Sequence, residues 1–373
     1  MTRKFVAAVV VAWALCTLLA SPLAAQAPAA AAAQQAKLAE RNRLWEQAQQ
    51  LRAAGKTADA IAAGEKMLAI ERELYRQPTD DLAVSLGWLG QRELERESFS
   101  QAEKRFQEAL DIRTAVLGGG HWKVTDARLQ VEQARLLAKL NPRDRQDLRN
   151  AEQANRKLVR LYGEGQYQAA IELAEKCRVT RLRLLGEAHP DYATSLNNLA
   201  ELYRSMGDYA RAEPLFRQAM EIRKKVLGEA HPDYATSLNN LAALYVGTGD
   251  YARAEPLYRQ AMEIRKKALG EAHPDYATDL NNLAELYRSL GDYARAEPLY
   301  RQAAEINKKA LGEAHPNYAG SLNNLALLYQ SMGDYARAEP LYRQAAAVTL
   351  EGLQQSFLGE SQRQQLAHAA SVR

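Results

Sequence analysis

Apolar residues in the second half of this chain fall into two helical stripes separated by a short polar break. Leu196, Leu199, Ala200 and Tyr203 lie three and four apart, and Ala212, Leu215, Phe216, Ala219 and Ile222 resume the period after Gly207-Asp208. The spacing predicts two amphipathic helices, termed A and B below, joined by a tight turn. Gly207 suits the left-handed conformation that ends helix A, and Asp208 offers an acceptor to the free amides at the start of helix B. Leu227-Gly228 ends helix B in the same way, and Pro232-Asp233 suits the first turn of the next helix A. Pro214 is tolerable because it lies near the start of helix B, where few amides have lost a partner.

The arrangement recurs every 42 residues, marked by His189-Pro190-Asp191-Tyr192-Ala193, His231-Pro232-Asp233-Tyr234-Ala235, His273-Pro274-Asp275-Tyr276-Ala277 and His315-Pro316-Asn317-Tyr318-Ala319. Such a period implies stacked helix pairs that share a continuous core and leave a long open surface instead of a closed pocket. Gly165, Tyr167, Ala170 and Ala174 carry the pattern back over 151–188. Leu86, Leu89-Gly90, Ala102, Phe106 and Ala109 mark a drifted unit, and Leu44, Ala48, Gly55 and Ala60 another. The 68 residues from His121 to His189 exceed one period by about 26, so an irregular extra helix is expected near Pro142.

Leu196, Leu199-Ala200, Tyr203, Gly207, Ala212, Phe216 and Ala219 resemble the tetratricopeptide repeat pattern position for position. The 42-residue form, from Ala193-Thr194-Ser195-Leu196-Asn197-Asn198-Leu199-Ala200 through Ala212-Glu213-Pro214-Leu215 to Leu227-Gly228, is similar to the repeats of kinesin light chains. The resemblance implies an all-α, right-handed superhelix of about seven antiparallel helix pairs. The expected organisation is a signal peptide at 1–27, an Ala/Gln-rich mobile linker at 28–36, degenerate repeats with an insertion at 37–150, the kinesin-light-chain-type array at 151–348, and a capping helix or truncated linker at 349–373.

The signal peptide is read from Arg3-Lys4, the uncharged apolar run Phe5 to Ala20 and the small residues ending in Ala25-Gln26-Ala27. That run is shorter than the roughly 20 residues a spanning helix needs, so a membrane anchor is expected only if the segment stays uncleaved, a case that Pro28 keeps open. Export to the periplasm or the exterior follows. Cys16 lacks the small residues that a lipidated cysteine would want before it. Without residues 1–27 the net charge of +4 falls to +2, which gives no bulk reason to expect nucleic acid. Cys177 would then be the one remaining cysteine, so no internal disulfide is expected.

Several patterns suggest chemistry and do not sustain it. Gly55-Lys56-Thr57 resembles the end of a phosphate-binding loop, but Gln50 stands where that loop needs glycine, in a helical context. The four His-Pro histidines belong to different units, on the order of 10 Å apart, too far to share a metal ion; a role at the junctions between units is expected. His121 and His368 have no visible partners in the sequence. Cys177 aligns with Ala219, a small buried position, which favours packing over reactivity. Arg223-Lys224-Lys225 and Arg265-Lys266-Lys267 sit in the last turn of helix B near Glu221, Glu229, Glu263 and Glu271, and read as a solvated face that complements the helix dipole. No catalytic residue, cofactor or metal is expected.

What remains is a polar ladder on helix A, opposite the apolar stripe: Thr194, Asn197, Glu201 and Arg204 or Ser205, then Thr236 and Asn239, then Thr278, Asn281, Glu285 and Arg288, then Asn323 and Gln330. The resemblance assigns helix A to a concave groove. Asparagine amides both donate and accept, so the ladder is expected to hold the backbone of an extended segment of another protein, with Arg204 and Arg288 adding contacts to acidic side chains. The competing reading is that asparagine recurs only because the units are recent copies. The second asparagine of each pair, such as Asn198, is expected to be structural.

An alternative function comes from Gly359-Glu360-Ser361-Gln362-Arg363-Gln364-Gln365-Leu366-Ala367, which resembles the segment after the repeats in bacterial proteins with a caspase-like (CHAT) peptidase domain. On that reading the chain is the sensor arm of a peptidase whose catalytic domain lies elsewhere. A literal motor-cargo role is disfavoured by the export signal and by the lack of a heptad coiled coil before the repeats. The sequence leaves the oligomeric state open.

Overall fold

The computed structural model describes residues 22–75 and 77–352, and every regular element among them is a helix. The chain divides into two compact units at Leu140/Asn141. The first holds α1 (Pro22–Ala53), α2 (Thr57–Leu74), α3 (Asp80–Glu95), α4 (Phe99–Leu117) and α5 (Trp122–Lys139). The second holds α6 (Pro142–Gly163), α7 (Tyr167–Leu185), α8 (Pro190–Ser205), α9 (Tyr209–Leu227), α10 (Pro232–Gly247), α11 (Tyr251–Leu269), α12 (Pro274–Ser289), α13 (Tyr293–Leu311) and α14 (Pro316–Ser331), followed by a helix over 335–352.

The helix boundaries have the local causes that the sequence suggests. Gly207 takes φ 76° after α8 and Gly228 φ 90° after α9, a region closed to most side chains. The Asp208 carboxylate accepts from the Arg211 amide at 3.1 Å, capping α9. The histidines cap too: His189, His231, His273 and His315 each accept through Nδ1 from the amide two residues on, at 3.0 to 3.1 Å, while proline follows at the first helical position. His121, which shows no partner in the sequence, makes the same cap to the Lys123 amide at 3.2 Å and stacks on Trp122.

Two expectations about the first unit are corrected. The Ala/Gln-rich stretch 28–36 lies inside α1 instead of forming a mobile linker, in keeping with the high helix propensity of alanine and glutamine. The extra helix expected between His121 and His189 is present, with three helices (α5, α6 and α7) in place of two, but it is regular, and Pro142 starts α6 behind an Asn141 cap. Residues 1–21, which carry most of the proposed export signal, lie outside the described residues. So does nearly all of the proposed capping and peptidase-linked tail, from 353 onward. Among the described residues no helix is long and apolar enough to cross a membrane.

Burial follows the repeat. In the first unit Gly90 lets the Phe106 ring pack where a Cβ would stand 2.6 Å from it, joining α3 to α4. In the second a continuous apolar core runs from Leu158 to Ala338, with Phe216, Tyr258 and Tyr300 at equivalent places in successive B helices. A repeated polar clasp ties the pairs together. Glu213 on α9 accepts from its own Arg217 at 2.8 Å and from the Tyr245 hydroxyl of the next pair at 2.9 Å, while Arg253 stacks over the Tyr245 ring at 4.2 Å. Glu255 with Tyr287 and Arg295, and Glu297 with Tyr329 and Arg337, repeat it.

Candidate interaction surface

Within the second unit, neighbouring A helices touch one another: α8 meets α10, α10 meets α12, and α12 meets α14. No two neighbouring B helices come as close. An array packed more tightly along one side bends toward that side, so the A helices form its inner wall. The wall therefore consists of A-helix residues that no other described helix covers.

The asparagines are not free members of that wall. Asn239, expected to be exposed, is only 6% exposed and donates through Nδ2 to Asp279 of α12. Asn281 donates in the same way to the Ser321 hydroxyl of α14 at 3.2 Å. Asn197 accepts at Oδ1 from Asn240 at 2.7 Å, and Asn198 donates to Asn155 at 3.0 Å. Asn197, Asn239 and Asn281 thus reach forward to the next A helix, and Asn198 and Asn240 reach back to the one before. Asn323, on the last A helix, is exposed. The picture of a ladder of unoccupied amides is corrected for Asn197, Asn239 and Asn281, because helices that approach this closely bring polar side chains into each other's reach.

The threonines are occupied as well. Thr194, Thr236 and Thr278 donate to the carbonyls of Pro190, Pro232 and Pro274 one turn back, at 3.2 to 3.3 Å. Thr194 and Thr236 also accept from Arg223 at 3.2 Å and Arg265 at 2.8 Å. Glu201, Arg204, Glu285 and Arg288 remain, half-buried on the wall. Arg204 grips Glu201 through Nε and Nη2, and Arg288 grips Glu285 likewise, with Nε to Oε2 at 2.9 Å in both. The Arg288 partnership, aided by the Tyr300 hydroxyl, holds the Glu285 carboxyl below its usual range against the opposing effect of burial.

A second ladder escapes the sequence reading. Arg223 and Arg265, read as part of a solvated basic face, are each only 7% exposed. Arg181, Arg223 and Arg265 send Nη1 to Ser195 (2.8 Å), Ser237 (2.9 Å) and Asp279 (2.7 Å), and Asn307 takes the same place against Ser321 (2.9 Å). The constant 14-residue offset between a B-helix cation and a small polar A-helix residue is a signal that could have exposed it. The lysines beside these arginines do face solvent and pair locally, Lys224 with Glu229 and Lys266 with Glu271. Burial with only distant carboxylates, Asp233 and Asp191, pulls the Arg223 guanidinium down. Cys177 is buried, donates weakly to the Ala151 carbonyl at 3.6 Å, and has its thiol pushed up by burial, the reverse of a reactive cysteine. Gly55 takes φ 73° in the turn before α2, as Gly207 does after α8.

Tetratricopeptide repeat models match residues 152–225, 205–267, 233–309 and 275–351, and a further tetratricopeptide repeat model matches 82–123. No curated protein matches the sequence significantly. Among solved structures, the nearly identical TPR-like repeats of a putative kinesin light chain from Podosopora anserina are 29% identical over 54% of this chain and 96% of theirs, with a TM-score of 0.45. BtubC (BKLC) from P. vanneervenii is 22% identical over 69% and 91%, with a TM-score of 0.44. The Rap protein complexed with Competence and Sporulation Factor is 14% identical over 88% and 80%, with a TM-score of 0.48. The first family model alone spans more than half of the sequence, and with the helix pairs and their glycine-ended turns in place, the chain belongs to the tetratricopeptide repeat family.

Proposed function

We propose that this protein is a non-catalytic scaffold that holds an extended segment of another protein against the inner wall of α8, α10, α12 and α14. The observation that carries the reading is the pair of half-buried Glu–Arg couples, Glu201–Arg204 and Glu285–Arg288, standing on the inner wall where no other described helix covers them. A guest competes for these charges without dismantling the core, because Leu202, Tyr203, Leu286 and Tyr287 on the same helices hold the packing. The asparagines contribute by setting the spacing of the wall, and direct contact falls to Glu201, Arg204, Glu285, Arg288 and the exposed Asn323.

Photo-crosslinking amino acids at positions 204 and 288, compared with exposed Lys225 and Lys267 on the B helices, test the reading. Partner peptides should be labelled from 204 and 288 and spared from 225 and 267. Equal labelling from both sets removes the wall as the binding surface.

We also propose that the protein works outside the cytoplasm, on the strength of Arg3-Lys4 and the apolar run to Ala20. N-terminal sequencing of protein recovered from cell fractions should find a start near Pro28 in the envelope or medium; a cytosolic chain still beginning at Met1 or Thr2 overturns it.

A further inference from the structure

The pair α10–α11 departs from its neighbours at the three wall positions. Where α8 carries Glu201, Arg204 and Ser205 and α12 carries Glu285, Arg288 and Ser289, α10 has Ala243, Val246 and Gly247. Ala243 and Val246 pack half-buried against the apolar core, and the Tyr209 ring lies 3.2 Å from where a Cβ on Gly247 would stand. Loss of a carboxylate, a guanidinium and a hydroxymethyl from one stretch of wall leaves an apolar notch between two charged couples.

Beneath the notch is a hydroxyl without a partner. In the next pair the Tyr300 hydroxyl donates to Glu285 Oε2 at 2.7 Å, across a 15-residue offset. The equivalent tyrosine here is Tyr258, 5% exposed, and the residue at the same offset is Ala243. Tyr258 makes no hydrogen bond among the described residues, its oxygen is not sealed from solvent, and it feels the charges of Arg204 and Glu285 on the wall. In the preceding pair the position is Phe216, which has no hydroxyl to satisfy. Of these three units only the middle one combines a half-sequestered tyrosine donor with a missing protein acceptor.

We propose that this notch is a side-chain recognition site for the guest segment: an aliphatic residue seats on Ala243 and Val246 while a main-chain carbonyl of the guest accepts from the Tyr258 hydroxyl. The inference rests on the wall being the binding surface and names which part of the guest is read there. The nearest charges, Arg204 on one side and Glu285 on the other, are already paired with Glu201 and Arg288, so the notch has no net charge to attract an ion. A guest carboxylate would find Tyr258 and an Arg204 already gripped by Glu201, whereas Glu285 has both the Arg288 fork and Tyr300. Its desolvation would go uncompensated, and a neutral acceptor beside an apolar side chain suits the site better.

The test uses the full-length protein and acetylated, amidated heptapeptides that are identical except for Leu, Val, Gly or Glu at the centre. Binding is followed by NMR signals of the Val246 methyls and the Tyr258 ring, and separately by signals of Arg204 and Arg288. Leu- and Val-centred peptides should shift the Val246 and Tyr258 signals and bind about tenfold more tightly than the Gly- and Glu-centred ones. Tyr258→Phe should remove about that factor for the aliphatic peptides. The double variant A243E/V246R writes the neighbouring repeat's residues into this one, so it keeps a fold the protein already uses, and it should abolish the preference by supplying the internal acceptor. Unchanged binding by A243E/V246R, or a preference for the Glu-centred peptide, overturns the notch. Peptides that shift Arg204 and Arg288 but not Val246 and Tyr258 overturn the notch and leave the wall standing; peptides that shift neither set count against both.

Discussion

Arg265 and Asp279 form a buried ion pair, Nη1 to Oδ1 at 2.7 Å, at a junction where the equivalent units place a serine opposite the basic residue. Burial pushes the Asp279 carboxyl up to about 6, and Arg265 and Asn239 only partly offset it. Its Oδ2 has no hydrogen-bond partner. The fold therefore holds the proton up to a higher pH than the unfolded chain, whose ordinary value is 3.8, and the ion pair forms only above about 6. A raised folded value means that this residue's stabilisation is fully present below about pH 4 and is lost as the pH rises through 6. Asp279→Ser, which copies the neighbouring junctions, should lose that dependence. Urea unfolding of both proteins between pH 4 and 7.5 should show the wild type gaining on the variant toward acid, by up to about 3 kcal/mol. A difference that stays flat, or that reverses toward acid, contradicts the assignment.

Asn239 and Asn281 stitch helices, so their loss should register in stability. The double variant Asn239→Ala with Asn281→Ala is expected to lower unfolding stability by about 2 kcal/mol through the two missing side-chain bonds. Crosslinking of partner peptides from position 204 should persist at temperatures where the variant remains folded. Lost crosslinking with unaltered stability would return these amides to the binding surface.

Arg223 is a buried cation held by two hydroxyls, Ser237 and Thr194, with no carboxylate in contact. Much of its charge is desolvated without direct repayment. Arg223→Met keeps the buried length without the charge and should unfold within about 1 kcal/mol of the wild type, on the stabilising side if the charge penalty dominates. Arg223→Ala opens a cavity and should cost about 2–3 kcal/mol. Calorimetry of the two variants separates packing from charge, and equal large losses would show that the charge itself holds the junction.

His231 is 3% exposed and caps α10 through the Asp233 amide. Removing that acceptor in His231→Ala should cost about 1 kcal/mol, and His231→Asn, which restores a capping oxygen, should recover part of it. Hydrogen exchange at the Asp233 and Tyr234 amides is the local readout. Exchange that does not change in the alanine variant would mean the ring packs without capping.

Much of the fold is legible in the chain because its causes are local. The interval from Leu196 to Tyr203 and from Ala212 to Ile222 announces two helices, and Gly207, Gly228 and Pro232 mark their ends by backbone constraints that act within a few residues. The inner wall is less legible. Helical periodicity identifies the side of α10 that avoids the apolar core, but a helix in an array has neighbours on several sides, and the same polar stripe serves both the junction and the open surface.

Propensity and period along the chain suffice to specify the repeat, the helix pairs, their turns and the shared core. Tertiary structure decided which polar residues are available to a guest. Asn239 and Arg223 turn inward, and Arg204 and Tyr258 meet the wall, because the spacing between helices distant in sequence sets which donors find acceptors. That spacing is a property of the packed array, and no single repeat encodes it.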